Sequence, residues 1–431
     1  MAENTRRWQA SDMLSSLQSR ASRLFWFGAT LSSVGQAAFL VSSGWLAFQL
    51  SGSGAVGLVT FATTGPLLFA TLAGGVLADR SDRRKVVLST QCVQGTVALF
   101  VGVLAVAGKL PLWALTVLVF VSGVARAVEM PTVQSVLPSL VAPEEMLNAF
   151  SLNGLATRGS RFIGPALVAP ILATRGAGPA FLLVALIYMP AFAFMFRVPS
   201  LRKPNSSMLS VGEQIREGAQ YIFSRSVLSI FLLVVVLHCL LTMAFDSTLP
   251  LFAAQNLRGN GAIYSTLIAA MGAGSIISGL ILAGLRARRI QGTLLLVMGI
   301  ASGLSTIWMS VTMVEWSSLV ALFVVGATTA FFMTLANTMV AEAAPDHLRG
   351  RVSGIFLMSA GGMMSIGNLF NGYLADRFGA SPVVGLPAAV FIVLLLLIYA
   401  GQPMLRRVFT EGVLLTPIAP EPALVTISGD D

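Results

Sequence analysis

The sequence predicts an all-α polytopic membrane protein, with twelve transmembrane helices arranged as two six-helix repeats. Three observations carry this expectation. Of the 431 residues, 55% are hydrophobic and only 10% are charged, whereas a soluble domain has about a quarter of its residues charged. The apolar residues fall into twelve runs close to the ~20 residues that a bilayer crossing requires. Short motifs also recur at a near-constant offset: Ala142-Pro143-Glu144 as Ala344-Pro345-Asp346 and Leu172-Ala173-Thr174-Arg175 as Leu374-Ala375-Asp376-Arg377, both at 202, and Ile163-Gly164 as Ile366-Gly367 at 203. Repeats of this kind belong to transporters whose substrate site lies between the halves, near the midplane.

The chain begins with a polar segment, 1–23, that lacks a cleavable apolar core, so the first span is expected to insert uncleaved. The spans are placed at 24–50, 55–78, 86–107, 112–137, 150–174, 178–197, 227–252, 262–285, 292–312, 317–340, 352–375 and 382–402. These make an N-terminal bundle over 24–197 and a C-terminal bundle over 227–402. The linker between them, 198–226, contains Pro199, Pro204 and the polar run Asn205 to Ser207. Within it, Val211, Ile215, Ala219 and Ile222 share one face, which predicts a short helix lying along the membrane surface. The tail, 403–431, carries Pro417, Pro420 and Pro422 and ends in two aspartates, and from Thr410 onward it is expected to be disordered and dispensable.

Cations set the orientation, because cytoplasmic loops carry the excess of Lys and Arg. With the N-terminus inside, inner segments hold twenty of the 27 and outer loops only four, Lys109, Arg175, Arg258 and Arg377. Both termini are therefore expected in the cytoplasm. The net charge of +9 is read as topology signal and implies no nucleic-acid partner. Cys92 and Cys239 sit in apolar runs of opposite halves and suggest neither a disulfide nor a metal site. There is no phosphate-cradling glycine loop, ligand cluster or nucleophile elbow, so the sequence indicates no enzyme, cofactor or metal. Transport without a nucleotide site runs on a gradient.

The stretch GVLADRSDRRKVVL, Gly75 to Leu88, sets four cations and two acids between long apolar runs. It resembles the loop signature of the major facilitator superfamily at Gly75, Asp79, Arg80, Arg83, Arg84 and Lys85. Asp82 stands where the wider superfamily has glycine, but it matches an exporter branch that includes enterobactin exporters and bacterial macrolide and tetracycline efflux proteins. The fourth and fifth spans are similar to that branch as well. The resemblance covers roughly residues 24 to 402 and implies the major facilitator fold. Two departures touch proton coupling: Gly164 and Pro165 keep only half of the Gly-Pro-x-x-Gly-Gly exporter segment, and Gly35-Gln36 stands where the branch has Gly-Asp. The resemblance also favours a latch role for Asp79 to Lys85 over mere orientation, through surface ion pairs individually worth about 0–1 kcal/mol.

Ionisable residues inside spans are costly and are functional candidates. Arg126 and Glu129 lie three apart on the fourth span. Counted at 1.5 Å per residue, Glu129 comes about 12 Å deep, with Arg158 of the fifth span at a similar depth and Arg161 near the level of Arg126. The four are expected to form one cluster, either a substrate-charge site with Glu129 as the coupling acid or a permanent ion-pair network between two helices. Asp246, near the outer end of the seventh span, is a second proton or gate candidate, or simply wetted there; His238, in the same span, reads as a core residue. Gln36, Trp45, Met130, Phe332, Asn337, Met364 and Asn368 are placed as cavity lining, since Met and aromatic walls suit a promiscuous pocket.

Together these features predict a bacterial inner-membrane secondary transporter, monomeric, that exports a bulky amphiphile of drug, macrolide or siderophore type by proton antiport. Its partners are then a small-molecule substrate, protons and lipid. The competing readings are a lysophospholipid or other lipid transporter and a non-transporting sensor of the same fold.

Overall fold

The computed structural model describes residues 12–67, 82–142, 145–200, 211–284, 290–345 and 348–411. Of the loop signature, Gly75, Asp79 and Arg80 lie outside them, as does the tail beyond Glu411. The helices in chain order are α1 (Arg20–Thr64), α2 (Arg83–Val106), α3 (Leu112–Val136), α4 (Met146–Thr174), α5 (Ala177–Phe196), α6 (Val211–Phe223), α7 (Ser226–Leu241), α8 (Leu249–Gln255), α9 (Gly261–Gly284), α10 (Gln291–Val311), α11 (Glu315–Ala343), α12 (Arg349–Phe378), α13 (Ala380–Gly401) and α14 (Pro403–Glu411).

These helices are built for lipid. In α13, Val383, Val384, Ala388, Phe391 and Leu395 are buried, while Leu386, Val390, Val393 and Leu397 form an exposed stripe of equally apolar residues. A helix apolar on both faces has its outer face in hydrocarbon. Among the described residues nine helices are long and apolar enough to cross a membrane. Twelve spans are consistent with this once the second limb of α1, the arginine-bearing α4 and the α7–α8 pair are each taken as one more.

The first two spans join more tightly than expected. α1 runs through both, reversing at Ser51 (φ −160°) and Gly52 (φ 75°), so that a Cβ on Gly44 would stand 3.8 Å from Val56 in the returning limb. The left-handed φ at Gly52 is what glycine permits at no steric cost. Between the second and fourth spans the approach is closer still: a Cβ on Gly123 would meet the carbonyl oxygens of Thr63 at 2.5 Å and Ala62 at 2.9 Å. Gly123→Val is therefore expected to cost about 1–3 kcal/mol through overpacking, read as a lower thermal midpoint of the detergent-solubilised protein.

The seventh span departs from the continuous helix expected over 227–252. It breaks at 242–248, between α7 and α8. Hydroxyls favour the break: Thr248 turns its side chain back to the Phe245 carbonyl at 2.8 Å. α12 satisfies the freed backbone, since Asn368 Oδ1 accepts from the Ser247 amide at 2.9 Å and Asn371 Nδ2 donates to the Ala244 carbonyl at 2.6 Å. Irregular backbone at membrane depth is tolerated where protein replaces water in this way.

The linker helix and the start of the tail are both packed. The linker helix is α6, turned 106° from α7 and fastened to the C-terminal half. Ile222 is buried there, Tyr221 donates to the Ala343 carbonyl at 2.8 Å, and Glu217 pairs with Arg351 of α12. The tail begins as a packed helix, since Val408 and Phe409 of α14 are buried and Thr293 of α10 donates to the Phe409 carbonyl at 2.9 Å. At the other terminus, residues Asp12–Leu17 form a 3-10 turn, with the Ser16 hydroxyl donating to Asn148 Oδ1 at 2.6 Å.

The internal repeat is visible in packing. Gly164 of α4 lets the first span approach, where a Cβ would stand 2.7 Å from Ala37, and Gly367 of α12 does the same for the seventh span at Ala244, 2.5 Å. The two halves meet along a seam that starts at the end carrying the Ser51–Gly52 reversal, here the hairpin end. Trp45 stacks on Tyr264 (5.9 Å), Ser265 donates to the Pro165 carbonyl (2.6 Å), and the Thr64 and Ser365 hydroxyls bond at 2.7 Å. Toward the opposite end, Gly154 of α4 and Gly350, Gly354 and Gly361 of α12 meet no described atom within 4 Å of a Cβ position.

Candidate functional site

The polar centre of the N-terminal half is assembled from four spans. Glu129 of α3 is buried, and its carboxylate accepts from the Ser32 hydroxyl of α1 at 2.8 Å and from Gln94 Nε2 of α2 at 2.5 Å, with Gln91 Nε2 at 3.5 Å. Tyr188 of α5 closes the ring by donating to Gln94 Oε1 at 3.0 Å. Its side chain lies where Gly35 and Gly95 leave room, the ring 3.0 Å from a Cβ at Gly35 and the Tyr188 Cβ 3.0 Å from one at Gly95. The donors to Glu129 are thus neutral amides and a hydroxyl. One acceptor nearby is idle, because Gln91 Oε1 is buried with no hydrogen-bond partner.

The four ionisable residues of α3 and α4 lie within electrostatic reach of one another as a chain, Glu129 to Arg126, Arg126 to Arg161 and Arg161 to Arg158. Among the described residues no ion pair joins Glu129 to an arginine. Arg126 sits three residues earlier on α3, about 60° around the helix, and is half-buried with no hydrogen bond among the described residues, within electrostatic range of Glu129 and Tyr188. Arg158 turns to the other half, donating to the Ser275 carbonyl of α9 at 3.2 Å and the Thr334 hydroxyl of α11 at 3.0 Å, with its stem against Gly279. Arg161 is exposed, within electrostatic range of Arg126, of Arg158 and of Asp246 across the seam. Glu129 points into its own half while Arg158 points out of it. The reason is helix rotation, which depth counting ignores.

Asp246 lies in the break of the seventh span, half-buried and without a hydrogen-bond partner among the described residues. His238, expected as core, is fully buried, with Nε2 at 2.8 Å from the Ser302 hydroxyl and the ring stacked on Phe332 (4.2 Å) with its edge near Phe391.

The cavity-lining expectation divides. Phe332 is fully buried in the C-terminal core rather than on a wall, and Trp45 is spent on the seam against Tyr264. Asn368, also fully buried, is structural, with Oδ1 on the Ser247 amide and Nδ2 donating to the Met364 carbonyl at 3.0 Å. Asn368→Ala leaves the buried Ser247 amide without an acceptor, an expected cost of about 1–3 kcal/mol; Asn368→Asp keeps the acceptor, so comparing the two melting curves isolates that bond. Gln36 is buried, Met364 and Asn337 are half-buried with Asn337 Oδ1 unpartnered, and Met130 is exposed. Pro165 and Gly164 hold the seam and the α1–α4 contact described above.

Three residues of the loop signature, Asp82, Arg83 and Arg84, make contacts within the N-terminal half. Asp82 caps α2 through the Arg84 amide at 3.0 Å and accepts from Ser200 at 2.7 Å. Arg83 donates to the Ser135 carbonyl at 2.8 Å, and Arg84 reaches the Phe196 carbonyl and lies over the Phe196 ring. These contacts staple the ends of α2, α3 and α5.

Sequence reasoning missed Asp376. At the hairpin end of α12 its carboxylate accepts from the amides of Ser53 and Gly54 in α1, both at 2.7 Å. A signal existed, since the repeat pairs Leu-Ala-Thr-Arg with Leu-Ala-Asp-Arg and adds an acid in the second half alone.

The profile of the family described as transmembrane secretion effector, a major facilitator group, matches residues 11–410. The chain is 28% identical to the enterobactin exporter EntS of Salmonella choleraesuis, covering 82% of this chain and 84% of that protein. It is 23% identical to macrolide efflux protein A of Streptococcus pyogenes, covering 78% and 82%. Among solved structures, the nucleoside transporter NupG superposes with a TM-score of 0.69 at 14% identity, covering 88% of this chain and 98% of that one, a likeness of fold.

Proposed function

The chain belongs to the transmembrane secretion effector family of major facilitator transporters, and on that premise we propose that it exports a bulky amphiphilic molecule of macrolide, siderophore or other drug-like type by proton antiport. Membership makes it a multi-pass membrane transporter with efflux-type relatives. Substrate class, coupling ion and direction belong to the proposal, as do the monomeric state, the bacterial inner membrane and the cytoplasmic termini.

One observation carries the coupling assignment: Glu129 is a buried acid held by neutral donors. It can gain or lose a proton without breaking an ion pair, and rotation of the Gln91 amide offers a protonated Glu129 the acceptor that is now idle. Arg126, within electrostatic range of Glu129 but with no hydrogen bond among the described residues, and Arg161 are the cations available to a substrate's acidic group. Arg158 is engaged across the seam and serves the movement of the halves. Alternation follows from that seam. It is made at the hairpin end, which the charge asymmetry of the loops puts outside, and this supports reading the structure as closed outward. Asp79 to Arg84 then mark the inner end, where a latch forms when the seam opens outside.

The test is proton movement in proteoliposomes, comparing wild type and Glu129→Gln across macrolides, siderophores, cationic dyes and lysolipids. Proton flux evoked by one class in the wild type alone supports antiport and names the substrate. Downhill transport without proton movement in the wild type overturns it.

A further inference from the structure

We propose that Asp376 is the latch that holds the hairpin end shut, one carboxylate of the C-terminal half capping a helix of the N-terminal half. The inference rests on the alternating-access reading above. The second limb of α1 starts at Ser53, directly after the reversal at Gly52. The first amides of any helix have no acceptor within it and carry partial positive charge. Asp376 fills that place from across the seam, Oδ1 taking the Ser53 amide and Oδ2 the Gly54 amide, each at 2.7 Å. Hydrogen bonds to a carboxylate are the stronger kind.

The surroundings are shaped for this contact. A Cβ at Gly52 would stand 3.0 Å from Oδ1 and one at Gly54 3.1 Å from Oδ2, so a side chain at either position crowds the carboxylate. On the other side of the seam, a Cβ at Gly372 would lie 2.5 Å from the Ser53 carbonyl oxygen. The first repeat has no counterpart: Thr174, 202 positions earlier, turns its hydroxyl to the Pro170 carbonyl of its own helix at 2.8 Å. When the halves part at this end the carboxylate and the two amides return to water, which makes the latch easy to open in each cycle.

The test places nitroxides at Lys109→Cys and Met313→Cys, exposed positions on the hairpin end of opposite halves, in a background with Cys92 and Cys239 replaced by serine. Distances are measured without substrate. Relative to Asp376, Asp376→Asn and Asp376→Ala are expected to raise the longer-distance population roughly two- to fivefold, the scale of a charge at a helix N-terminus, and Asp376→Glu to restore part of the short one. An unchanged distribution in both variants, with each eluting as a monodisperse protein, overturns the latch. Lost flux with unchanged distances also overturns it and leaves the transport reading intact. Shifted distances in a chain whose wild type moves no substrate would uphold the latch and sink transport.

Discussion

Glu129→Gln is expected to uncouple the protein without unfolding it. Glutamine keeps the shape of the side chain, and its neighbours can adapt. Either the Ser32 hydroxyl reverses to accept, or the Gln94 amide turns while the Tyr188 hydroxyl rotates to match. The cost in stability is then of the order of a single hydrogen bond, about 1 kcal/mol. The cost in coupling is larger. If Glu129 is the group that binds proton and senses substrate, proton-driven export falls about 5- to 150-fold, the range that coupling free energies of 1–3 kcal/mol span, while downhill exchange persists. Glu129→Ala should be worse in both respects, because it strands Ser32 and Gln94. Unchanged proton movement in the glutamine variant would make Glu129 structural and shift attention to Asp246, a half-buried acid in the break of the seventh span.

Gly272→Val has the second large effect, and its cause is steric. A Cβ there would meet the Arg161 carbonyl oxygen at 2.5 Å, its carbon at 2.6 Å and the Phe162 nitrogen at 2.8 Å. All three are backbone atoms, so no rotamer change relieves the clash. α4 and α9 have to separate, and the overpacking cost of about 1–3 kcal/mol falls on the closed seam. Closed states should lose roughly five- to a hundredfold in population, and export should fall with them. Each half keeps its own core, so the melting curve moves less than the flux. Wild-type flux with a wild-type distance between Lys109 and Met313 labels would contradict the seam as drawn.

Much of the architecture was readable from residues alone. The helices α2 to α5 and α9 to α13 begin and end within a few residues of the apolar runs, since a run's length and its flanking charges are local properties. Gly164 and Gly367, picked out by their offset, proved to be matching contact points. Less legible was the seventh span, where Ser247, Thr248 and Pro250 were visible but the amides of Asn368 and Asn371, over 120 residues away, allow the break. The surface helix was evident from its pattern. Its attachment to one half was not, because the Glu217–Arg351 pair joins residues 134 apart.

The polar residues divide along the same line. Which residues are costly in a bilayer is a matter of chemistry, and Arg126, Glu129, Arg158, Arg161 and Asp246 declare themselves by type and position. Whom each one meets is a matter of rotation, at about 100° per residue, and of how two bundles lean together. Depth counting paired Arg158 with Glu129 and Arg161 with Arg126. Packing sent Glu129 inward to Ser32 and Gln94 and Arg158 outward to Thr334, and it brought an unsuspected Asp376 onto the start of a helix more than 300 residues away. Composition and spacing establish the spans and their charges; the partners of those charges exist only once the helices are packed.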